Sequence, residues 1–446
     1  MKELLIIVFT ILVIKLCNGQ HSMSLTECID FAFKHNLNLE QFRSETSKSV
    51  IIFKQARLKC LPTLNAEYNH FLSSGRSLNQ ELYVWENNDM QQGNMALAAE
   101  LIIFQGFGNW HGLKSAKSNY ESSLYALEKV KLQLGLEITK CYYEIMLSTK
   151  AIEVFELTHH NTTTELKSLH EQIDAGILSK CSLYELMAQS QKEQLQLEIL
   201  KTGRDKHYLV LKEMMNWPPD DGFMVYSTPD DFDGPSSPVS FRLPAIDAEN
   251  VLKNSPDIKE KELLMSATKH EIHRQRSQYY PVIRSVASIS SRYMKNAIDP
   301  EMQSDSYEYL SQISDNQYKQ LALSVTLPIF DRNSRNTAIK LAKIEYERLQ
   351  NEKEMVQLAL RNELLLIQVE INSLAESITI SREMAEAFKK SYETATEKFR
   401  AGLLNSYELT LAKNNYTGAL LELNKMKVQH SMNVALLDFY RSYAEY

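Results

Sequence analysis

Between Leu360 and Phe399, apolar and small residues fall at alternating steps of four and three: Leu360, Leu364, Ile367, Ile371, Leu374, Ile378, Ser381, Ala385, Phe388, Tyr392, Ala395 and Phe399. A 3.5-residue period sustained over so many turns specifies helices packed in left-handed coiled-coil fashion. Extended upstream to about Asn333, the pattern predicts one helix of roughly 100 Å at 1.5 Å per residue. No ordinary globular domain contains such a rod. Composition agrees: 13 glycines and 11 prolines in 446 residues are about half the usual usage, which excludes collagen-like, low-complexity and turn-rich all-β chains.

The pattern occurs twice. Subtracting 226 from the seam gives Leu134, Ile138, Cys141, Ile145, Ser148, Ile152, Phe155, His159, Thr162, Leu166, Leu169 and Ile173. The same offset carries Leu97, Leu101, Ile103 and Phe104 onto Leu323, Leu327, Ile329 and Phe330, and Ala175-Gly176 onto Ala401-Gly402. Upstream, Lys34, Leu39 and Pro62 match Lys253, Ile258 and Pro281 at an offset of 219. Such self-similarity implies a duplicated unit. Each copy reads as helix, strand, loop, strand, long helix, tight turn and helix. Ala175-Gly176 and Ala401-Gly402 are the tips of two helical hairpins, glycine supplying the left-handed conformation that ends a helix. In the second copy the returning helix continues the seam through Leu409, Ala412, Tyr416, Ala419, Leu423 and Met426.

The segments before the long helices alternate in the manner of strands. Leu321, Leu323, Val325, Leu327 and Ile329 share one side, with Ala322, Ser324 and Thr326 opposite. Leu97, Ala99, Leu101 and Ile103 behave likewise, and the runs starting at Pro62 and Pro281 are their partners. Each run is near the length of a tilted transmembrane strand, with an apolar side for lipid and a small polar side for water. Four strands leave two open edges, which hydrocarbon does not tolerate. Closure needs about eight strands or more. Two chains would give a filled eight-strand barrel, and three a twelve-strand barrel with an open lumen.

Residues 1–19 read as a secretory signal: Lys2, the apolar run Leu4 to Ile14, then Cys17-Asn18-Gly19 before a cut at Gln20. Leu16 stands where a lipoprotein signal ahead of Cys17 would need a small residue. The remaining 47 Lys and Arg against 55 Asp and Glu give a net charge of −8, with no basic concentration for nucleic acid. No later apolar run reads as long and uncharged enough for a transmembrane helix. Cys28, Cys60, Cys141 and Cys181 are expected to be free and mostly buried. With Cys28 and Cys60 on one helix they would lie about 48 Å apart, and Cys141 is some ten turns from the tip that holds Cys181.

The chain resembles the TolC family of bacterial outer-membrane efflux and secretion channels. The resemblance covers nearly all of the mature sequence and rests on motifs in order. These are Ser24-Leu25-Thr26-Glu27-Cys28, the strand starts Leu61-Pro62 and Tyr280-Pro281, and the strand-to-helix junctions Leu101-Ile102-Ile103-Phe104-Gln105-Gly106 and Leu327-Pro328-Ile329-Phe330-Asp331. The tips Ala175-Gly176-Ile177-Leu178-Ser179 and Phe399-Arg400-Ala401-Gly402-Leu403-Leu404-Asn405-Ser406 complete them. The implied fold is mainly α with a transmembrane β part, a homotrimer whose twelve-strand barrel continues as a periplasmic α-helical barrel. The implied organisation is a signal peptide (1–19), a first repeat (20–217; strands about 62–72 and 95–105, tip 174–182), a linker (218–244) near the equatorial region, and a second repeat (245–446; strands about 281–293 and 320–330, tip 397–408). With almost nothing after Tyr440, an extended C-terminal equatorial segment is not expected.

The resemblance implies passive conduction from an RND or ABC inner-membrane pump through a periplasmic adaptor, at the outer membrane of a Gram-negative bacterium. A type I protein secretion channel is the alternative within the family. A periplasmic adaptor or structural coiled-coil protein is the rival outside it, although adaptors carry one hairpin flanked by Gly-rich β-domains. In the family the hairpin tips form both gate and docking surface. Here that points to Asp174, Ala175, Gly176, Ser179, Lys180, Glu397, Arg400, Ala401, Gly402, Ser406 and Glu408. Exposed charges at helix ends are ordinarily solvated and worth about 0–1 kcal/mol. Arg400 is the strongest of them, because arginine pairs bidentately with carboxylates. His159 and His160 are adjacent, so they do not face one another and make no metal pair. The 16 methionines read as core filler. No phosphate loop, paired-cysteine spacing or nucleophile elbow is present, so neither catalysis nor a cofactor is expected.

Overall fold

The computed structural model describes residues 21–79, 83–174, 180–218, 222–226, 248–296 and 309–444. The signal segment, most of the linker and the first tip, including Ala175, Gly176 and Ser179, lie outside them. The first half runs β1 (His21–Met23), α1 (Leu25–His35), α2 (Leu37–Leu58), β2 (Thr63–Asn79), β3 (Val84–Gln105), α3 (Gly108–Asp174) and α4 (Lys180–Met215). Then come β4 (Phe223–Val225), α5 (Ala248–Asn254), α6 (Pro256–Ser277), β5 (Val282–Asn296), α7 (Tyr309–Asp315), β6 (Tyr318–Thr326), α8 (Ser334–Arg400) and α9 (Ser406–Ala444). The two long helices α3 and α8 each have 67 residues and are displaced by the expected 226 positions.

Several expectations need correction. The first helix is two, because the chain turns extended at Asn36 (ψ 124°), whose side chain instead accepts from the Leu39 N–H at 3.0 Å. Cys28 and Cys60 are therefore not on one helix. All four cysteines among the described residues are free, but only Cys28 and Cys141 are buried, while Cys60 and Cys181 are exposed. β2 and β3 run well beyond their apolar alternation. β6 stops at Thr326 rather than near 330: Pro328 has no N–H to pair, and Arg332 and Asn333 take left-handed φ of 55° and 65°. The short α7 and the parallel pair β1–β4 carry no signal in the apolar pattern. α8 is also long and apolar enough to cross a membrane by length and composition, with a window of mean hydropathy 1.2.

The chain divides into two units by its contacts. One comprises residues 1–44, 124–259 and 353–446, and the other 45–123 and 260–352. In the first unit every predicted seam residue from Leu134 to Ile173 and from Leu360 to Phe399 is buried or half-buried. Four clusters hold it. Cys28, Leu39, Ile138, Ile145 and Leu211 join α1, α2, α3 and α4; Leu136, Leu364, Ile371 and Leu437 join α3 to α8 and α9. Ile378, Ala385, Ala419 and Leu423 hold the second hairpin, and Leu169, Leu186, Phe399 and Leu409 bring all four hairpin helices together near the tips. Gly135 has a packing reason: a Cβ there would lie 2.1 Å from Phe439 Cζ, so only glycine lets that ring lie on the α3 backbone.

The second unit carries a four-stranded antiparallel sheet in the order β2-β3-β5-β6. Its register aligns Leu64, Ala99, Ala287 and Leu321 across one face, with Ala66, Leu97 and Ile289 in the next row. Asn65, Ala98, Ser288 and Gln320 lie across the other face, where Arg284 pairs with Glu100 at 2.9 Å. Leu64, Leu72, Leu97, Ile289, Leu321 and Leu323 are all strongly exposed. Below the sheet, Arg335 links the strand-to-helix turn by an ion pair to Asp331 (2.8 Å) and donates to the Gln278 and Pro328 carbonyls.

Candidate functional site

The second hairpin tip is built by backbone geometry. α8 ends where the Gly402 N–H donates to the Phe399 carbonyl (3.0 Å) and the Leu403 N–H to the Lys398 carbonyl (2.9 Å), with Gly402 left-handed at φ 69°. This is the paired hydrogen bonding of a Schellman stop. Asn405 then caps α9, its side-chain oxygen accepting from the Glu408 N–H at 2.9 Å. Ser406 is buried, and its hydroxyl donates to the Glu185 carboxylate on α4, so the second tip is tied to the first hairpin.

The other predicted residues spread around this turn. Glu397, Ala401 and Glu408 are exposed. Arg400 is exposed and lines a groove with Tyr392, Glu393 and Thr396 of α8 and His160, Asn161 and Thr164 of α3. Asp174 closes α3 and Lys180 opens α4.

Sequence reasoning missed the polar cluster behind the tip. Lys413 on α9 is only 1% exposed. Its ammonium pairs with the Glu165 carboxylate on α3 and donates to Thr162 Oγ1 at 3.0 Å. Thr162 donates to Glu193 Oε2 on α4 at 2.7 Å. Tyr392 on α8 donates to the second Glu165 oxygen at 2.8 Å, and Gln189 Nε2 donates to the second Glu193 oxygen at 2.8 Å. His159 Nδ1 stands 3.8 Å from Glu193. Burial, then the negative charge of Glu165, raises the Tyr392 pKa and keeps the phenol protonated as a donor. One cation and two carboxylates thus join the four helices of both hairpins. A buried pair of this kind adds little net stability but is expensive to break.

The visible signal was Thr162, a hydroxyl at a seam position that Phe388 fills in the second copy. Among the described residues, no group of three or more His, Cys, Asp or Glu side chains converges as a metal site.

The family model described as "Outer membrane efflux protein" matches residues 32–216 and 248–440. No curated protein matches the chain in sequence. Among solved structures, the fold is similar to the outer membrane protein VceC of Vibrio cholerae, with a TM-score of 0.78, 13% identity and coverage of 93% of this chain and 95% of that one. It is similar to the CmeC outer membrane channel of Campylobacter jejuni at 0.78, with 14% identity and coverage of 94% and 86%. The open state of the Neisseria gonorrhoeae MtrE outer membrane channel gives 0.69, 17% identity, and coverage of 94% and 88%.

Proposed function

The chain belongs to the outer membrane efflux protein family, and we propose that three copies close one conduit whose hairpin tips form both its gate and its docking surface for a periplasmic adaptor. The observation that carries this reading is the sheet. β2 and β6 are its edges, neither finds a further strand within the described residues, and its apolar face is exposed. Such a sheet is stable in a membrane only as part of a closed barrel. Three copies give twelve strands, enough for an open lumen.

Residues Met355, Leu358, Leu365, Leu366, Val369 and Ile380 support the same assembly: they leave an apolar stripe on α8 outside its seam, between half and two-thirds exposed. A neighbouring copy is the natural partner for it. The adaptor would deliver solute from an RND or ABC pump, and the channel itself would do no chemistry.

Opening the tip requires the two hairpins to move apart, which places the Ser406–Glu185 and Lys413–Glu165 links across the moving boundary. Arg400, Glu397 and Glu408 are exposed at this turn and would meet the adaptor or a neighbouring copy. The decisive experiment is recovery of the protein from outer membranes, with its mass in detergent and its conductance in planar bilayers. A trimer with single-channel steps supports the reading, and a soluble periplasmic monomer overturns it. An exposed apolar sheet face is also what separates this chain from a periplasmic adaptor.

A further inference from the structure

Three of the eleven histidines meet in the second unit. His111 sits in the first turns of α3, and His270 and His273 lie one turn apart on α6, all three half-buried. His111 Nδ1 and His270 Nδ1 are 3.4 Å apart. The His273 ring stacks on that of His111, with centroids 4.9 Å apart and planes 16° from parallel. The Trp110 ring stands nearly perpendicular to those of both His111 and His270, with centroids at 4.8 and 6.1 Å.

The nitrogen separation is informative. A neutral N–H···N contact at 3.4 Å is a weak hydrogen bond, well beyond the usual 2.9–3.0 Å of an N–H donor. Two imidazole nitrogens each about 2.0–2.1 Å from one tetrahedral zinc ion stand about 3.3–3.4 Å apart. We propose that His111 and His270 form a two-imidazole, surface-accessible site for a borderline divalent cation, Zn2+ or Cu2+, with water completing the coordination and the His273 ring stacked beside it.

The surroundings favour the ligand form of both rings. Burial first, then the neighbouring imidazole of His273, holds the pKa of His111 below the usual histidine range, with a smaller contribution from His270. His270 is lowered by burial, then by His273, Lys114 and Lys269. Neutral imidazoles bind a cation without first losing a proton. Lys114 and Lys269 oppose a dication, but Lys114 is drawn over the Trp110 ring at 5.6 Å. Glu271 is held by Arg274 at 2.6 Å and is not a third ligand. Imidazole donors suit zinc and copper, whereas magnesium and calcium prefer oxygen.

The test uses the full chain purified in detergent and stripped with chelator. Calorimetry with ZnCl2 should show one ion per chain. His111→Ala and His270→Ala should each weaken binding about tenfold or more, by loss of a ligand outright where even an outer-shell partner costs 10–100-fold. The Cu2+ complex should show hyperfine coupling to at least two nitrogens, reduced in either variant. His159→Ala/His160→Ala should bind as the parent does. If His111→Ala loses the trimer or its helical circular dichroism, His270→Gln, which keeps size and polarity, replaces it. Absence of zinc uptake by the parent at about 100 µM, or uptake indifferent to both His111 and His270, overturns the site and leaves the pair as a hydrogen bond. Neither result depends on conductance or trimer formation.

Discussion

α3 and α8 have equal lengths and carry one seam written 226 residues apart, yet their remaining surfaces differ. Outside its seam, α8 exposes Met355, Leu358, Leu365, Leu366, Val369 and Ile380, whereas past its first turn α3 exposes only Leu124 and Leu157 among large apolar side chains. The seam tells where a helix packs within its own chain. The second stripe tells that α8 has another face to cover. Duplication preserved the first property and let the second diverge, so the copies are equal in geometry and unequal in partners.

The contrast can be broken at its strongest link first. Lys413→Ala strands Glu165 in the packed centre of the hairpins and should cost about 3–5 kcal/mol in chemical unfolding. Joint replacement with Glu165→Leu/Lys413→Met should recover most of that loss. A single variant as stable as the parent would show that the pair holds nothing.

Next, Ile371→Ala on the seam, 1% exposed, should cost about 2–5 kcal/mol by leaving a cavity. Val369→Asp, two residues away on the outer stripe, should leave helical content unchanged and weaken self-association in analytical ultracentrifugation. Equal behaviour of these two variants would erase the distinction between seam and stripe.

Tyr392→Phe removes a hydrogen bond to a charged carboxylate and should cost about 1.5–3 kcal/mol, read as a lowered thermal midpoint.

Burial pushes the Cys28 thiol up to about 12 and Cys141 up to about 11. At about pH 8, Cys60 and Cys181 should alkylate readily and the other two only on unfolding. The sign for stability follows, since the unfolded thiols ionise near pH 8.5. Below that their contribution is constant, and it declines as pH climbs toward the folded values.

The smallest effect on stability belongs to Arg400→Ala, within about 0.5 kcal/mol for an exposed site. Its readout is conductance of the isolated channel, which should rise. Unchanged conductance removes Arg400 from the gate.

Local periodicity made much of this fold legible. Both long helices follow from residues three and four apart, and Gly402 stops α8 where an Ala-Gly step predicts it. The strands were legible only where one side is apolar. In Asn69 to Asn79 and Val84 to Asn94 both faces are largely polar, so nothing local marks β2 and β3 as continuing. Asn36 hid the break between α1 and α2, because the helical pattern resumes immediately.

The polar cluster was illegible for a different reason. Lys413 and Glu165 are separated by 248 positions, and a lysine beside a seam ordinarily points to water. His111 and His270 are 159 apart, while the adjacent His159 and His160 draw attention but do not face one another. A site assembled by two repeats leaves only scattered letters in the chain.

The equal lengths of α3 and α8 also restrict how such a gene can change. One inserted residue turns everything beyond it by about 100° and carries the seam off its neighbours, whereas seven restore it. Seven added to α3 alone would still move Leu169 one step past Phe399, uncoupling the tip cluster. Heritable changes in the reach of the hairpins must therefore arrive in whole heptads and in both copies together, so the repeats share a common ruler long after their sequences have parted.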